Sequence, residues 1–327
     1  MRSLIEQFPE FLADAIEIGK KAELKSTENA IENVVIIGLG GSGIGGTIIA
    51  QLVAEQLAVP VVVHKNYGIP NFVDSSTLLI GCSYSGNTEE TLDAVRAAKK
   101  KGAQIACITS GGQLSSLANE NGWNCIRVPG GNPPRSMFAY SLTQLFFLFI
   151  HYRLISNNHL VDVAAAQNLL QKNREKIQER AADVAKEING NRIVIYSDNG
   201  FSGVAERFRQ QLNENSKQLA WHHALPEMNH NELVGWGGGD DSIGVVLLRS
   251  AFDNPRTMIR MDLSKKIFSH HTSTIIELHA HGESLIEQAF YLVLLCDWVS
   301  LLLAEFNGVD PIEIKVIDFL KSELSKV

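Results

Sequence analysis

Cysteine is scarce and unpatterned in this chain of 327 residues. The four, Cys82, Cys107, Cys125 and Cys296, include no CxxC pair, and three lie in apolar stretches. That argues against a disulfide-stapled secreted scaffold or a zinc ribbon and leaves buried free thiols in a reducing compartment, so the expected location is cytoplasmic. An excess of basic charge is also missing. With 36 acids against 29 bases the net charge is −7, so no global positive field draws nucleic acid, and an anionic ligand has to be held by a local site. Trp123, Trp221, Trp236 and Trp298 are scattered, with no stripe on which bases would stack. No membrane span is expected. The most apolar stretches are 142–150, too short to cross a bilayer, and 289–304, interrupted by Asp297; both read as buried helices. The opening segment carries acids throughout its apolar stretch and reads as an amphipathic helix rather than a signal peptide. His270-His271 and His279-x-His281 have no carboxylate or cysteine at ligand spacing, so they read as loop histidines and no metal is expected.

What is present is the balance of a globular enzyme, 45% hydrophobic and 20% charged, with enough length for two domains. Short β-branched runs at 34–37, 61–64, 78–82, 105–109 and 125–128 alternate with helical segments and end in a long apolar helix over 137–154. A charged helical region over 161–186 follows, and the rhythm resumes. Strands are expected at 192–196, 244–248 and 274–278, and helices at 203–213, 256–268, 285–306 and 311–324, the last capped by Asp310 with Pro311 at its first position. Such alternation implies an α/β chain of two domains, 1–154 and 155–327, each a doubly wound parallel sheet flanked by helices. There is no repeat and no Gly/Ser-rich linker, so the two halves are expected to pack firmly with the site between them.

Two loops carry the chemistry. The first, Gly38-Leu39-Gly40-Gly41-Ser42-Gly43, follows a strand and opens a helix, where backbone N–H groups and the positive dipole end suit an anion. The dinucleotide reading of this spacing needs an acid at the end of the next strand, but that strand ends His64-Lys65-Asn66. A P-loop needs Lys before the Thr, but Gly46 precedes Thr47, so no nucleotide cofactor is expected. Taken alone, the loop also fits a tight structural turn. The second, Ser83-Tyr84-Ser85-Gly86-Asn87-Thr88, again joins a strand to a helix. A helix N-cap at Asn87 or Thr88 explains its end but not Ser83 and Ser85, whereas a phosphate wants such neutral donors.

At SYSGNTEET (83–91) the chain resembles the sugar isomerase (SIS) domain family. With GLGGSGIGG (38–46), PPRSMFAYSL (133–142), QLNENSK (211–217), PEMNHNELVGW (226–236) and the Asp310-Pro311 and 317–321 stretches, it resembles more closely the bifunctional phosphoglucose/phosphomannose isomerases. The resemblance implies two SIS domains, a homodimer, no cofactor, and interconversion of glucose 6-phosphate or mannose 6-phosphate with fructose 6-phosphate through an enediol. Carried over by motif, Gly40, Gly41, Ser42, Ser83, Ser85 and Thr88 would hold phosphate. Glu232 would be the catalytic base, Arg135 would sit beside the reacting carbons, and Lys321 would assist near the ring oxygen. Read without the resemblance, Glu232 also fits a surface loop carboxylate, Arg135 a helix-start arginine, and Lys321 a solvated lysine. The resemblance implies that the segment with Arg207, Gln211, Asn213 and Glu214 supports the site or a subunit interface; read alone it also fits a solvated helix face. Two positions depart from the family pattern: Asn254 stands where a histidine before Pro-Arg is usual, and Ile312-Glu313 follow Asp310-Pro311 where Thr-Pro is common. Asparagine cannot shuttle a proton, so either another histidine such as His270 or His271 replaces it or ring opening is impaired. The alternative to an enzyme is a sugar-phosphate-binding regulator, or an isomerase of another phosphosugar.

Overall fold

In the computed structural model, which describes residues 1–26, 30–324 and 326, the first half holds helices α1 (Arg2–Glu6), α2 (Phe8–Lys21), α3 (Gly40–Leu52), α4 (Glu89–Lys100), α5 (Gly112–Asn121) and α6 (Phe138–His151). They surround strands β1 (Asn33–Ile37), β2 (Val61–His64), β3 (Thr77–Cys82), β4 (Gln104–Thr109) and β5 (Asn124–Arg127). The strands pair in parallel in the order β2-β1-β3-β4-β5. Apolar residues on successive positions cover both faces, as a buried parallel sheet requires. Val34 and Ile36 face α2, α3 and α6, while Val35 and Ile37 face α4 and α5.

The second half begins with α7 (Asn158–Lys172) and α8 (Arg174–Glu187), so the region expected as helical at 161–186 is broken at Asn173. Strands β6 (Arg192–Asp198), β7 (Ala220–Leu225), β8 (Ile243–Arg249) and β9 (Ile275–His279) form a parallel sheet in the order β7-β6-β8-β9. Helices α9 (Ser202–Glu214), α10 (Glu232–Gly235), α11 (Pro255–Phe268), α12 (Leu285–Phe306) and α13 (Lys315–Leu324) complete the chain. Strand β7 is absent from the sequence expectation. Its residues Ala220-Trp221-His222-His223 have no β-branched run, because an edge strand lies half in solvent and needs none.

Helix α12 is long and apolar enough to cross a membrane by length and composition, but 83% of its most apolar stretch is buried inside the molecule. It packs on α7, α8 and α9, and one continuous core runs through it from the first sheet to the second. The expected close packing of the two halves is therefore built from α3 against α9 and from α12. The terminal helix is shorter than expected. It starts at Lys315, because Asp310 accepts the N–H of Ile312 at 2.8 Å in a tight turn and Pro311 stays outside the helix.

Candidate active site

Strands β1 and β3 are neighbours, and the chain leaves β1 toward β2 on one side and β3 toward β4 on the other. The crevice beyond their C-terminal ends is the topological switch point, where open α/β sheets bind ligands. Both serine loops lie there. The Ser42 hydroxyl accepts the N–H of Tyr84 at 3.0 Å, tying the first loop to the second. Within the second loop, the Ser83 and Thr88 hydroxyls lie 2.8 Å apart, Ser85 accepts the N–H of Asn87 at 3.2 Å, and Ser83 accepts that of Thr88 at 3.4 Å. The predicted phosphate residues Gly40, Gly41, Ser42, Ser83, Ser85 and Thr88 are thus brought together. Gly40 and Gly41 open α3 with N–H groups that have no intrahelical carbonyl to reach, so the first turn offers donors to an anion. A Cβ on Gly41 would meet the Arg135 backbone at 3.0 Å, so the absence of a side chain there lets Arg135 approach the loop.

Arg135 sits in a 3-10 turn, Pro134–Met137, whose prolines fix its backbone. Its side chain is buried, and every arm of the guanidinium is engaged. Nε donates to Asn215 Oδ1 at 2.7 Å, Nη1 to Glu214 Oε2 at 3.1 Å, and Nη2 to the carbonyl of Pro311. Burial lowers its pKa, and Glu214 opposes that shift. Nη1 carries two N–H groups and Glu214 takes one, so the second can serve a ligand. From below, Arg207 donates to the Arg135 carbonyl at 3.1 Å and pairs with Asp297 at 2.5 Å. Gln211 donates to the other Asp297 oxygen at 2.7 Å, and the Arg207 guanidinium lies 4.2 Å from the Phe138 ring centroid. Lys217 donates to the carbonyls of Glu214 and Glu313, binding the QLNENSK segment to the chain after α12.

Glu232 does not join this group. Helix α9 runs antiparallel to α3. Ser202 and Gly203, at its start, contact Gln51 near the end of α3, while Glu214, at its end, meets Arg135 at the start of α3. Glu232 bonds Tyr196 of β6 at 2.5 Å and, among the described residues, has no hydrogen bond to Arg135 or to either serine loop. Glu232 also accepts from Trp221 at 3.1 Å and lies 2.7 Å from His223 Nδ1, so its oxygens are occupied by neighbours on β6 and β7. Lys321 lies on α13, none of whose residues is buried. Asn254 caps α11, accepting the N–H of Arg256 at 2.9 Å, which is a structural use for a side chain that cannot move protons.

Sequence reasoning gave no role to Asn215 and Lys217 of the QLNENSK stretch, and read Asp297 only as interrupting an apolar run. The signal for Asp297 was present: a carboxylate inside an apolar helix needs a buried partner.

Comparisons with known proteins give the family. Residues 29–149 match the SIS domain family, and residues 177–324 match the bacterial phospho-glucose isomerase C-terminal SIS domain. The chain is 37% identical to a bifunctional phosphoglucose/phosphomannose isomerase of Caldicellulosiruptor bescii over 99% of this chain and 98% of that one. It is 34% identical to a D-glucosamine-6-phosphate 4-epimerase of Sulfolobus acidocaldarius over 77% of this chain and 79% of that one. Among solved structures it resembles tagatose-6-phosphate ketose/aldose isomerase from Escherichia coli, with a TM-score of 0.68 and 18% identity over 94% of this chain and 93% of that one. A parallel sheet in each half, the paired serine loops and these near full-length matches lead to one assignment: the chain belongs to the bifunctional phosphoglucose/phosphomannose isomerase family of SIS-domain proteins.

Proposed function

We propose that this protein is an aldose–ketose isomerase that interconverts glucose 6-phosphate and mannose 6-phosphate with fructose 6-phosphate, and that Glu214 rather than Glu232 is its base. The 6-phosphate lies against Ser42, Ser83, Ser85 and Thr88 and the first turn of α3. The sugar chain then extends toward Arg135. The carboxylate of Glu214 removes the proton from C2 of the open-chain aldose, and the electron pair moves through the new C1–C2 double bond onto O1. The enediolate charge faces the free Nη1 N–H of Arg135. Transfer of the O2 proton to O1 and return of the abstracted proton to C1 give the ketose. Glucose and mannose 6-phosphates differ only at C2, so both give the same enediol, and one base in one site serves both.

The observation that carries this reading is the 3.1 Å contact between Arg135 and Glu214 beside the paired serine loops. Glu232, with its oxygens taken by Tyr196, Trp221 and His223, has no such support. Lys321 remains a candidate for the ring-opening step, since the chain leading to α13 touches Arg135 through Pro311. A homodimer fits the exposed apolar residues Ile259, Leu263 and Ile267, spaced one turn apart on α11, and Val316, Phe319 and Leu320 on α13. Four free thiols fit a cytoplasmic location.

The test is a rate assay on purified, chelator-treated protein supplied with fructose 6-phosphate, with glucose 6-phosphate and mannose 6-phosphate followed separately. Both products are expected. Saturable binding without turnover would instead make it a sugar-phosphate-binding regulator. The relative named as a 4-epimerase favours a second reading, chemistry at another carbon of a related phosphosugar. Turnover of glucosamine 6-phosphate in place of fructose 6-phosphate would establish that one.

A further inference from the structure

We infer that Lys217 is a positioning residue for the isomerisation: its ammonium locks the end of α9, which bears Glu214, to the segment between α12 and α13, and so holds the base against Arg135. The inference rests on the reading of Glu214 as the base. Lys217 Nζ donates to the Glu214 carbonyl at 2.6 Å and to the Glu313 carbonyl at 2.7 Å. Arg135 donates Nη1 to the Glu214 carboxylate at 3.1 Å and Nη2 to the Pro311 carbonyl, with the Ile312 carbonyl at 3.5 Å. Ammonium, base, guanidinium and the 311–313 backbone thus form a closed circuit of contacts.

The backbone at Lys217 supplies an independent reason. Its φ is +56°, in the left-handed region, where a side chain is strained and glycine is not. The turn it makes ends α9, and the Gln218 N–H returns to the Leu212 carbonyl at 3.2 Å. Glycine is the common residue just past a helix end because it enters this region at no steric cost. A residue that served only to stop the helix would be better as glycine. Strain of this kind persists where the surrounding contacts hold it for a functional reason. Here those contacts are the two hydrogen bonds from the ammonium, strengthened by its charge.

The ammonium also stands inside the charge cluster of the site. Partial burial lowers its pKa and the Arg135 charge adds to that shift, while the carboxylates of Glu313, Asp310 and Glu214 oppose it. Asp310 spends one carboxylate oxygen on the Ile312 N–H at 2.8 Å, which shapes the turn whose carbonyls the two cations grip. Without the ammonium the circuit opens, and the end of α9 can shift relative to Arg135. A displacement of about 1 Å at a reacting group can cost up to about a hundredfold in rate. The serine loops take no part in the circuit, so the grip on phosphate is left in place.

The test is steady-state kinetics with fructose 6-phosphate, beside urea unfolding, on the full chain and its variants. In Lys217→Gly the relief of left-handed strain offsets the lost hydrogen bonds, so its unfolding midpoint should stay close to that of wild type. Its kcat should nevertheless fall about tenfold to a hundredfold, with KM within about threefold. Lys217→Asn, which also tolerates the left-handed region, should match it, and Lys217→Arg, which restores a cation, should recover most of the rate. A cycle with Glu214→Gln separates this inference from the reading of the base. If Lys217 acts through Glu214, adding Lys217→Gly to Glu214→Gln should cost less than about threefold more. Losses that multiply in full would show the ammonium acting apart from Glu214 and overturn the inference. So would a Lys217→Gly as active as wild type while Glu214→Gln is dead, or a rate that falls only in step with stability. Glu214→Gln with the wild-type rate would overturn the base reading itself, an outcome read without any change at Lys217.

Discussion

Arg207 and Asp297 form a 2.5 Å ion pair with 2% and 3% of their side chains exposed, and the same guanidinium holds the Arg135 carbonyl. Removing one partner of such a pair leaves the other buried and uncompensated. Asp297→Ala should therefore lower unfolding free energy by about 3–5 kcal/mol, measured by urea titration. Asp297→Asn keeps an acceptor for Arg207 and should lose less. Equal stability of all three proteins would show that the pair contributes nothing to holding α9, α12 and the Arg135 turn together.

The contact between Arg135 and Glu214 sets the next expectation. Glu214→Gln keeps the size and one hydrogen bond but cannot take a proton. Its kcat for fructose 6-phosphate should fall about 10²–10⁴-fold with KM little changed. Glu232→Gln should retain a rate within a few-fold of wild type, with its effect confined to stability through Tyr196, Trp221 and His223. The reverse result, a dead Glu232→Gln beside an active Glu214→Gln, would return the base to Glu232 and require a second chain to deliver it to the serine loops.

Gly86 ties the geometry of the second loop to substrate affinity. Its φ of +69° is the left-handed region, and a Cβ there would lie 1.8 Å from the Gly111 carbonyl oxygen. Gly86→Ala should displace Ser85 and Thr88, raising KM for the phosphorylated sugar at least tenfold while the protein still folds. An unchanged KM would detach this loop from phosphate binding.

Both sheets were legible in the sequence wherever strands were β-branched and buried, as in 34–37 or 244–248, because a parallel strand covered on both faces has to be apolar throughout. Strand β7 was not, because Trp221, His222 and His223 are set by what they touch at a sheet edge rather than by strand propensity. The two serine loops were legible for a similar reason: glycine and hydroxyl residues between a strand and a helix state a local conformation. The pairing of Arg135 with Glu214 was not, although the resemblance pointed to the segment holding Glu214, since the two residues meet only through tertiary packing. Glu232 of the NHNE stretch was singled out through the resemblance; in the fold it bonds Tyr196, Trp221 and His223.

Asp253 provides a test by pH. Its Oδ2 accepts the Ser250 N–H at 2.9 Å, its Oδ1 is buried without a partner, and only 4% of the residue is exposed. Burial, helped by the nearby Asp198, pushes its carboxyl from 3.8 up to about 6, against the pull of the Ser250 N–H and Arg249. The folded state thus binds this proton more tightly than the unfolded chain. The resulting stabilisation is full below the unfolded value, near 4, and is lost as pH rises through about 6. A shift of this size corresponds to at most about 3 kcal/mol. Asp253→Asn removes the titration, so the stability of wild type relative to the variant should fall by about 1–3 kcal/mol between pH 4 and 7, read from denaturant unfolding at each pH. Curves that stay parallel across that range would mean that Asp253 titrates alike in both states and that solvent reaches its carboxylate despite the packing around it.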